Sequence, residues 1–127
     1  MIYIVIPSFN EKLFLTNLID LLCKQSFKEF KIIVSDNGSS DGTHSTIEKK
    51  YPKVTLICND SSFWWTESTN EGVKYALKDS KSDEDYILTI NCDTTIKNNY
   101  LENLFSCAKQ NSNSIIGSVN VDIDSKL

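Results

Sequence analysis

KIIVSDNGSSDGT, residues 31–43, joins an apolar run of strand length to a turn built almost wholly from polar residues and glycine. Ile32, Ile33 and Val34 are β-branched and show no alternation with polar residues, which is the pattern of a strand buried on both faces. Such a strand needs layers packed above and below it, so this one run already argues for an α/β arrangement. Gly38 permits a positive φ within the turn. Asp36 stands at the end of the strand, where its carboxylate can accept hydrogen bonds from a ribose hydroxyl or a base N–H. Ser39, Ser40 or Asp41 can cap a helix that follows. The stretch alone leaves a binding turn and a capping turn equally open.

Working outward, apolar runs of the same kind occur at residues 2–6, 54–58, 86–90 and 114–119. Segments with helical spacing lie between them. Leu13, Phe14, Leu18, Ile19 and Leu22 form one, and a shorter one covers residues 41–50, stopped near Pro52. Trp65, Gly72, Val73, Ala76 and Leu77 form a third, and Tyr100, Leu101, Leu104, Phe105 and Ala108 a fourth. The alternation predicts β-α-β-α-β-α-β-α-β. Right-handed crossovers turn this order into a Rossmann-like, three-layer α/β/α fold with a mainly parallel sheet. Ligands of such sheets bind at the carboxyl ends of strands, near the reversal of strand order. The informative turns are therefore PSFNE, SDNGSSDGT, NDSSFWW and NCDTT.

At 127 residues and 40% hydrophobic content, the chain reads as one domain, residues 1–127, with room for a real core. A net charge of -4 argues against a nucleic-acid partner, which would need a basic face. The apolar start lacks the basic leader of a signal peptide, and no run is long enough to span a bilayer. The expectation is a cytoplasmic protein, with the inner membrane face as a peripheral location. Cys23, Cys58, Cys92 and Cys107 form no CxxC pair and lie in or beside apolar segments, so they read as reduced, mostly buried thiols. The terminal SKL matches a peroxisomal address, but three residues match by chance.

Pro7, Ser8, Phe9 and Asn10 offer a rigid bend, a hydroxyl and an aromatic face on which a base could stack, although Phe9 also suits a core. Asn91 and Asp93 are two residues apart and share a face if the backbone is extended. A magnesium or manganese ion held between protein and a diphosphate needs only one or two protein oxygens, so Asp93 suits that role, as well as the bland one of capping the next helix. Trp64 and Trp65 are costly to leave wet, and one of them is expected to line a pocket. Trp65 with Val73 and Leu77 would also make an ordinary buried stripe. Glu67, Asn70 and Glu71 follow on the same helix, where Gly72 allows close approach of a backbone or ligand.

Taken together, IVIPSFNE, IIVSDNGSSDGT, NDSSFWWTESTNEGV and YILTINCDTTI resemble, in order and over residues 2 to about 120, the first half of a family 2 glycosyltransferase with the GT-A fold. The resemblance implies inverting transfer of a sugar from a UDP- or dTDP-sugar to a saccharide or lipid-linked acceptor. It assigns nucleotide-sugar binding to Pro7, Ser8, Phe9, Asn10, Glu11, Asp36, Asn37, Gly38, Trp65, Asn70, Gly72, Asn91 and Cys92. It assigns a divalent metal, Mg²⁺ or Mn²⁺, to Asp93, the last residue of a strand-end DxD motif. The first aspartate of that motif is Asn91 here and its middle residue is Cys92, so one carboxylate remains, and metal binding should depend on the nucleotide. Asn91 together with the double tryptophan is similar to a branch that includes bacterial rhamnosyltransferase-like enzymes of surface polysaccharide synthesis.

In that family the acceptor site and the acidic base lie well downstream of the DxD, so residues 1–127 read as the donor-binding half, cut short before the acceptor region. Asp122 and Asp124 come too early to match the base. His44, the sole histidine, is expected in the second helix away from the site. A non-catalytic nucleotide-sugar-binding module would show the same motifs. A receiver-type signalling domain, the rival from another class, needs an acidic pair after its first strand and a Lys after its fifth. Here those places hold Pro7-Ser8-Phe9 and Gly117-Ser118-Val119. A half-domain with an open sheet edge is also expected to form a homodimer.

Overall fold

The computed structural model describes residues 1–119 and 121. Eight elements follow one another: β1 (Ile2–Ser8), α1 (Lys12–Cys23), β2 (Phe30–Asp36), α2 (Thr43–Lys50), β3 (Thr55–Cys58), α3 (Trp65–Asp79), β4 (Tyr86–Thr89) and α4 (Tyr100–Gln110). The four strands form one parallel sheet in the order β3-β2-β1-β4. From β1 the chain moves outward to β2 and β3, then returns to add β4 on the other side of β1. The order therefore reverses between β1 and β4, the place near which sheets of this kind commonly bind ligands.

The apolar runs predicted from sequence divide between the two faces of the sheet. Ile2, Ile4 and Ile6 of β1 join Ile32 and Val34 of β2 on the face covered by α1, α2 and α4, through Leu15, Leu18, Ile19, Leu22, Ile47 and Leu101. Each such side chain contributes about 1.5–3 kcal/mol by leaving water. Tyr3, Val5 and Ile33 point to the other face, where Ala76 and Val73 of α3 cover them. A single buried amide joins the first layer: Gln25 donates to the Lys97 carbonyl at 2.8 Å and accepts from the Leu101 N–H at 3.0 Å, pinning the start of α4 to the end of α1.

Three sequence expectations fail here. Residues 114–119 form no strand, and Ile115 is fully exposed. Their β-branched content favours a strand only when a partner supplies hydrogen bonds, and the ladder of β4 is made with β1. Among the cysteines only Cys92 is buried; Cys23, Cys58 and Cys107 end α1, end the edge strand β3 and lie on the solvent side of α4. The buried stripe of α3 is Ser68, Thr69, Gly72 and Ala76, while Trp65 and Leu77 are exposed. Small side chains let this helix lie close on the sheet, which turns its large apolar residues outward. Asp122, Asp124 and the terminal SKL lie outside the described residues.

Candidate functional site

At the carboxyl end of the sheet, three loops are stitched together by backbone bonds. The Asn37 N–H reaches the Ser8 carbonyl at 3.0 Å and the Asn59 N–H reaches the Asp36 carbonyl at 2.7 Å. Side chains finish the work. The Asn59 amide donates to Ser35 Oγ at 2.8 Å and to Asn37 Oδ1 at 3.1 Å, and the Asn37 amide donates to the Phe63 carbonyl at 3.1 Å. Asn10 sits at φ 51. From that left-handed position its Oδ1 accepts the Ser40 N–H at 2.8 Å, and its own N–H reaches Ser39 Oγ at 2.8 Å. Gly38, at φ 74, supplies the positive φ expected of this turn.

The two aspartates of the turn take different roles. Asp41 accepts from the Thr43 hydroxyl at 2.6 Å, from the Thr43 N–H at 3.1 Å and from the Lys12 N–H at 2.9 Å. Burial pushes its pKa up, but these bonds outweigh burial and hold the carboxyl below its ordinary value. It is therefore the residue that ties the start of α2 to the start of α1. Asp36 is fully buried. Its Oδ2 accepts the Ser39 N–H at 2.8 Å and faces His44 Nε2 at 2.7 Å, and its Oδ1 accepts the Ser39 hydroxyl at 2.5 Å. His44, expected away from the site, thus lies against its central carboxylate. The helical spacing was read correctly; what it could not give was the direction in which α2 turns its first residues.

Beside this network opens a cleft of about 610 Å³ lined by Pro7, Ser8, Phe9, Asn37, Ser61, Ser62, Phe63, Trp64 and Trp65. Its size suits a small-molecule ligand. Phe9, Trp64 and Trp65 are 51%, 80% and 54% exposed, so three aromatic faces are available to a flat ring. Ser8 lies in the floor, 3% exposed, and its Oγ has no hydrogen-bond partner among the described residues. A buried hydroxyl without a partner costs roughly 1–3 kcal/mol, so it is a natural contact for an incoming polar atom.

The DxD-like segment closes the other side. Asn91, Cys92 and Asp93 form a turn rather than the extended stretch expected, with the Thr94 N–H bonded to the Asn91 carbonyl at 3.2 Å, because β4 ends at Thr89. Asn91 and Asp93 therefore do not share a strand face. The Trp65 indole N–H donates to Asn91 Oδ1 at 2.8 Å, which engages that oxygen within the protein. The Cys92 thiol is buried and donates to Glu11 Oε2 at 2.6 Å. Burial, this bond and the charges of Glu11 and Asp93 push its pKa up to about 12, so it stays a protonated thiol and not a thiolate ligand. Asp93 is exposed and makes no hydrogen bond among the described residues. No group of three His, Cys, Asp or Glu residues that could hold a metal occurs among the described residues. One open carboxylate fits an ion that takes its other ligands from a diphosphate and water.

The structure thus brings Pro7, Ser8, Phe9, Asn37 and Trp65 to one cleft. Asn91 adjoins it through Trp65. Asp36 and Gly38 lie behind it, and Asn10 and Glu11 line a neighbouring depression with Lys12 and Asp41. Asn70 is exposed on α3, while Gly72 packs against Val5. Sequence reading missed Asn59, Ser39, His44 and Phe63 as site residues, and it expected one of Trp64 and Trp65 at a pocket where both line the cleft. For Asn59 and Phe63 the available signal was their place just after β3, at the same sheet end as the others.

A sequence model described as glycosyl transferase family 2 matches residues 3–126. The chain is 40% identical over 45 residues, 35% of its own length and 15% of the relative's, to GalNAc(5)-diNAcBac-PP-undecaprenol beta-1,3-glucosyltransferase of Campylobacter jejuni. It is 34% identical over 85 residues, 63% of its length and 20% of the relative's, to the uncharacterized glycosyltransferase YfnE of Bacillus subtilis. The crystal structure of Staphylococcus aureus TarS 1-349 in complex with UDP-GlcNAc superposes with a TM-score of 0.68 at 23% identity, covering 86% of this chain and 31% of that one. A Pyrobaculum calidifontis mannosyltransferase in complex with GDP-Man and Mn²⁺ superposes with a TM-score of 0.53 at 18% identity, covering 72% and 27%. The chain thus spans about a fifth or less of the two curated relatives and about a third or less of the two structures. With four strand-end motifs in register on a sheet of this topology, and a family match along nearly the whole sequence, the chain belongs to glycosyl transferase family 2.

Proposed function

We propose that this chain is the donor-binding part of an inverting glycosyltransferase that takes a sugar from a UDP- or dTDP-sugar. The observation that carries the reading is the aromatic cleft at the carboxyl ends of β1, β2 and β3, with the unpartnered Ser8 hydroxyl in its floor and the open Asp93 carboxylate on the turn that adjoins it through the Trp65–Asn91 bond. The nucleoside would enter between Phe9, Trp64 and Trp65, over Ser8 and Asn37, with the Asp36 turn behind it. The diphosphate would extend toward Asp93. A divalent ion held there by Asp93 and the diphosphate would neutralise charge that develops on the departing nucleotide. The related structures named above hold UDP-GlcNAc and, in the second case, GDP-Man with Mn²⁺, which supports a nucleotide-sugar ligand and a divalent metal.

The acceptor site and the base that takes the acceptor's proton would lie in sequence outside residues 1–127, in keeping with the fraction of its relatives that this chain spans. A place in bacterial polysaccharide synthesis, in the cytoplasm and at the inner membrane face, follows from the same reading; no helix among the described residues is long and apolar enough to cross a membrane. Calorimetric titration with UDP and dTDP, with and without Mn²⁺, tests the proposal. Mn²⁺ is expected to tighten binding about tenfold, or ~1.4 kcal/mol, and Asp93→Ala to remove that increment while leaving metal-free binding in place. A folded chain that binds neither nucleotide under either condition would overturn the reading.

A further inference from the structure

The DxD-like turn is held from three separate parts of the fold. The Ile90 N–H reaches the Val5 carbonyl at 3.1 Å, one residue past the end of β4. The Trp65 indole holds Asn91 from α3. The third link comes from the loop between β1 and α1, where the Glu11 carboxylate accepts from the Cys92 thiol, 81 positions away in sequence. Cys92 is 4% exposed and packs with Ile90 and Ile96 into the layer formed by α1, α2 and α4. Its neighbours Asn91 and Asp93 are both exposed. The inward side chain at the middle of the turn thus sends the two polar ones outward.

Glu11 is also the residue at which α1 begins, and its carbonyl accepts the Leu15 N–H at 3.0 Å. An acidic side chain at a helix start can accept from the free N–H groups of the first turn. This one makes no such bond. Part of that work falls to Asp41, which accepts the Lys12 N–H at 2.9 Å from the neighbouring turn. The Glu11 side chain is therefore free of capping and faces Cys92. A thiol suits the place, because it is small and largely apolar against the core yet still a donor.

We propose that Glu11 is a positioning residue: by holding the Cys92 thiol it fixes the turn that presents Asp93 to a divalent ion and the diphosphate. The inference rests on the donor-site reading above and adds Glu11 and Cys92 to it as a coupled pair. The family resemblance assigns both residues to the nucleotide-sugar. Cys92, however, is buried and turns its thiol toward Glu11, so its part is played through its neighbour. With Asn91 in place of a first aspartate, the turn carries a single carboxylate. A change in the direction of Asp93 therefore has no second carboxylate on the turn to offset it.

Two measurements test the pair, and the first needs no nucleotide. Amide hydrogen exchange, read by NMR, follows the Ile90 and Thr94 N–H groups, which bond to Val5 and Asn91, against the amides of β2 as a reference. Glu11→Ala is expected to speed exchange at Ile90 and Thr94 about tenfold and to leave β2 unchanged, whereas Glu11→Gln, which keeps a carbonyl acceptor, should stay within about threefold of wild type. The second is the ratio of UDP affinities with and without Mn²⁺. Cys92→Ala is expected to cut the wild-type ratio of about tenfold to about threefold or less, and Cys92→Ser, which keeps a donor, to hold it within about twofold. The Glu11→Ala, Cys92→Ala double variant should lose no more than the worse single one. Unchanged exchange in Glu11→Ala, or the full Mn²⁺ enhancement in folded Cys92→Ala, would overturn the positioning role while leaving nucleotide binding intact. Faster exchange in Glu11→Ala together with no UDP binding by the folded wild type would instead remove the donor-site reading, and with it the purpose given to this link.

Discussion

Gly72→Ala is expected to lower the stability of this domain by about 2 kcal/mol and its melting temperature by roughly 6–10 °C. A Cβ built on Gly72 would stand 2.4 Å from Val5 Cγ1, far inside contact distance. Val5 cannot easily yield, since it is fully buried on the central strand and β-branched, with little freedom at χ1. Overpacking of this kind costs about 1–3 kcal/mol and sometimes more, and the better helix propensity of alanine returns up to about 1 kcal/mol. The clash is severe enough that the loss should win.

Urea denaturation of Gly72→Ala, Val5→Ala and the double variant gives a decisive comparison. The double variant should be more stable than the sum of the single effects predicts, by at least about 1 kcal/mol. Strict additivity would show that the helix shifts bodily to make room. Unchanged stability together with weaker nucleotide binding would instead favour a glycine kept for the ligand. Such a result would support the donor-contact role that the family resemblance assigns to Gly72.

Asp36→Ala should have the larger effect, about 3–5 kcal/mol. The substitution leaves the Ser39 N–H, the Ser39 hydroxyl and His44 Nε2 without their common acceptor inside the protein. Domains of this size are stable by about 5–15 kcal/mol, so the variant would remain folded only narrowly. Binding should therefore be measured at about 10 °C, where circular dichroism can establish that it is folded. On the proposed donor-site reading, UDP affinity is expected to fall at least tenfold, with the same proportional loss in the presence and absence of Mn²⁺, because that reading puts Asp36 behind the nucleoside and Asp93 at the metal. Wild-type affinity in the folded variant would show that the carboxylate organises the loop without serving recognition. Wild-type stability would show that the three donors find water instead.

The order of elements and the sheet's polarity were decided by the sequence. Runs such as KIIV and IYIVI are too continuously apolar for a half-exposed strand, and only helices on both faces can keep them dry. The same alternation located the functional end of the sheet, since parallel strands bring their carboxyl termini to one edge. Pro7, Ser8, Phe9, Asn37 and Trp65 could be read as neighbours on that basis, although long stretches of chain separate them.

What the tertiary structure alone decided concerns direction and partnership. The fifth apolar run found no ladder to join, because strand propensity is realised only through hydrogen bonds from another strand. The rotation of α3 followed from close packing of Gly72 on Val5, and it sent Trp65 outward to the cleft and to Asn91. His44 met Asp36 because the first turn of α2 lies against the end of β2, an encounter set by three-dimensional closure and not by the eight-residue spacing itself. Periodicity in a sequence reports which residues leave water. Which polar group meets which is fixed only once every donor and acceptor at the sheet end has competed for the same small space.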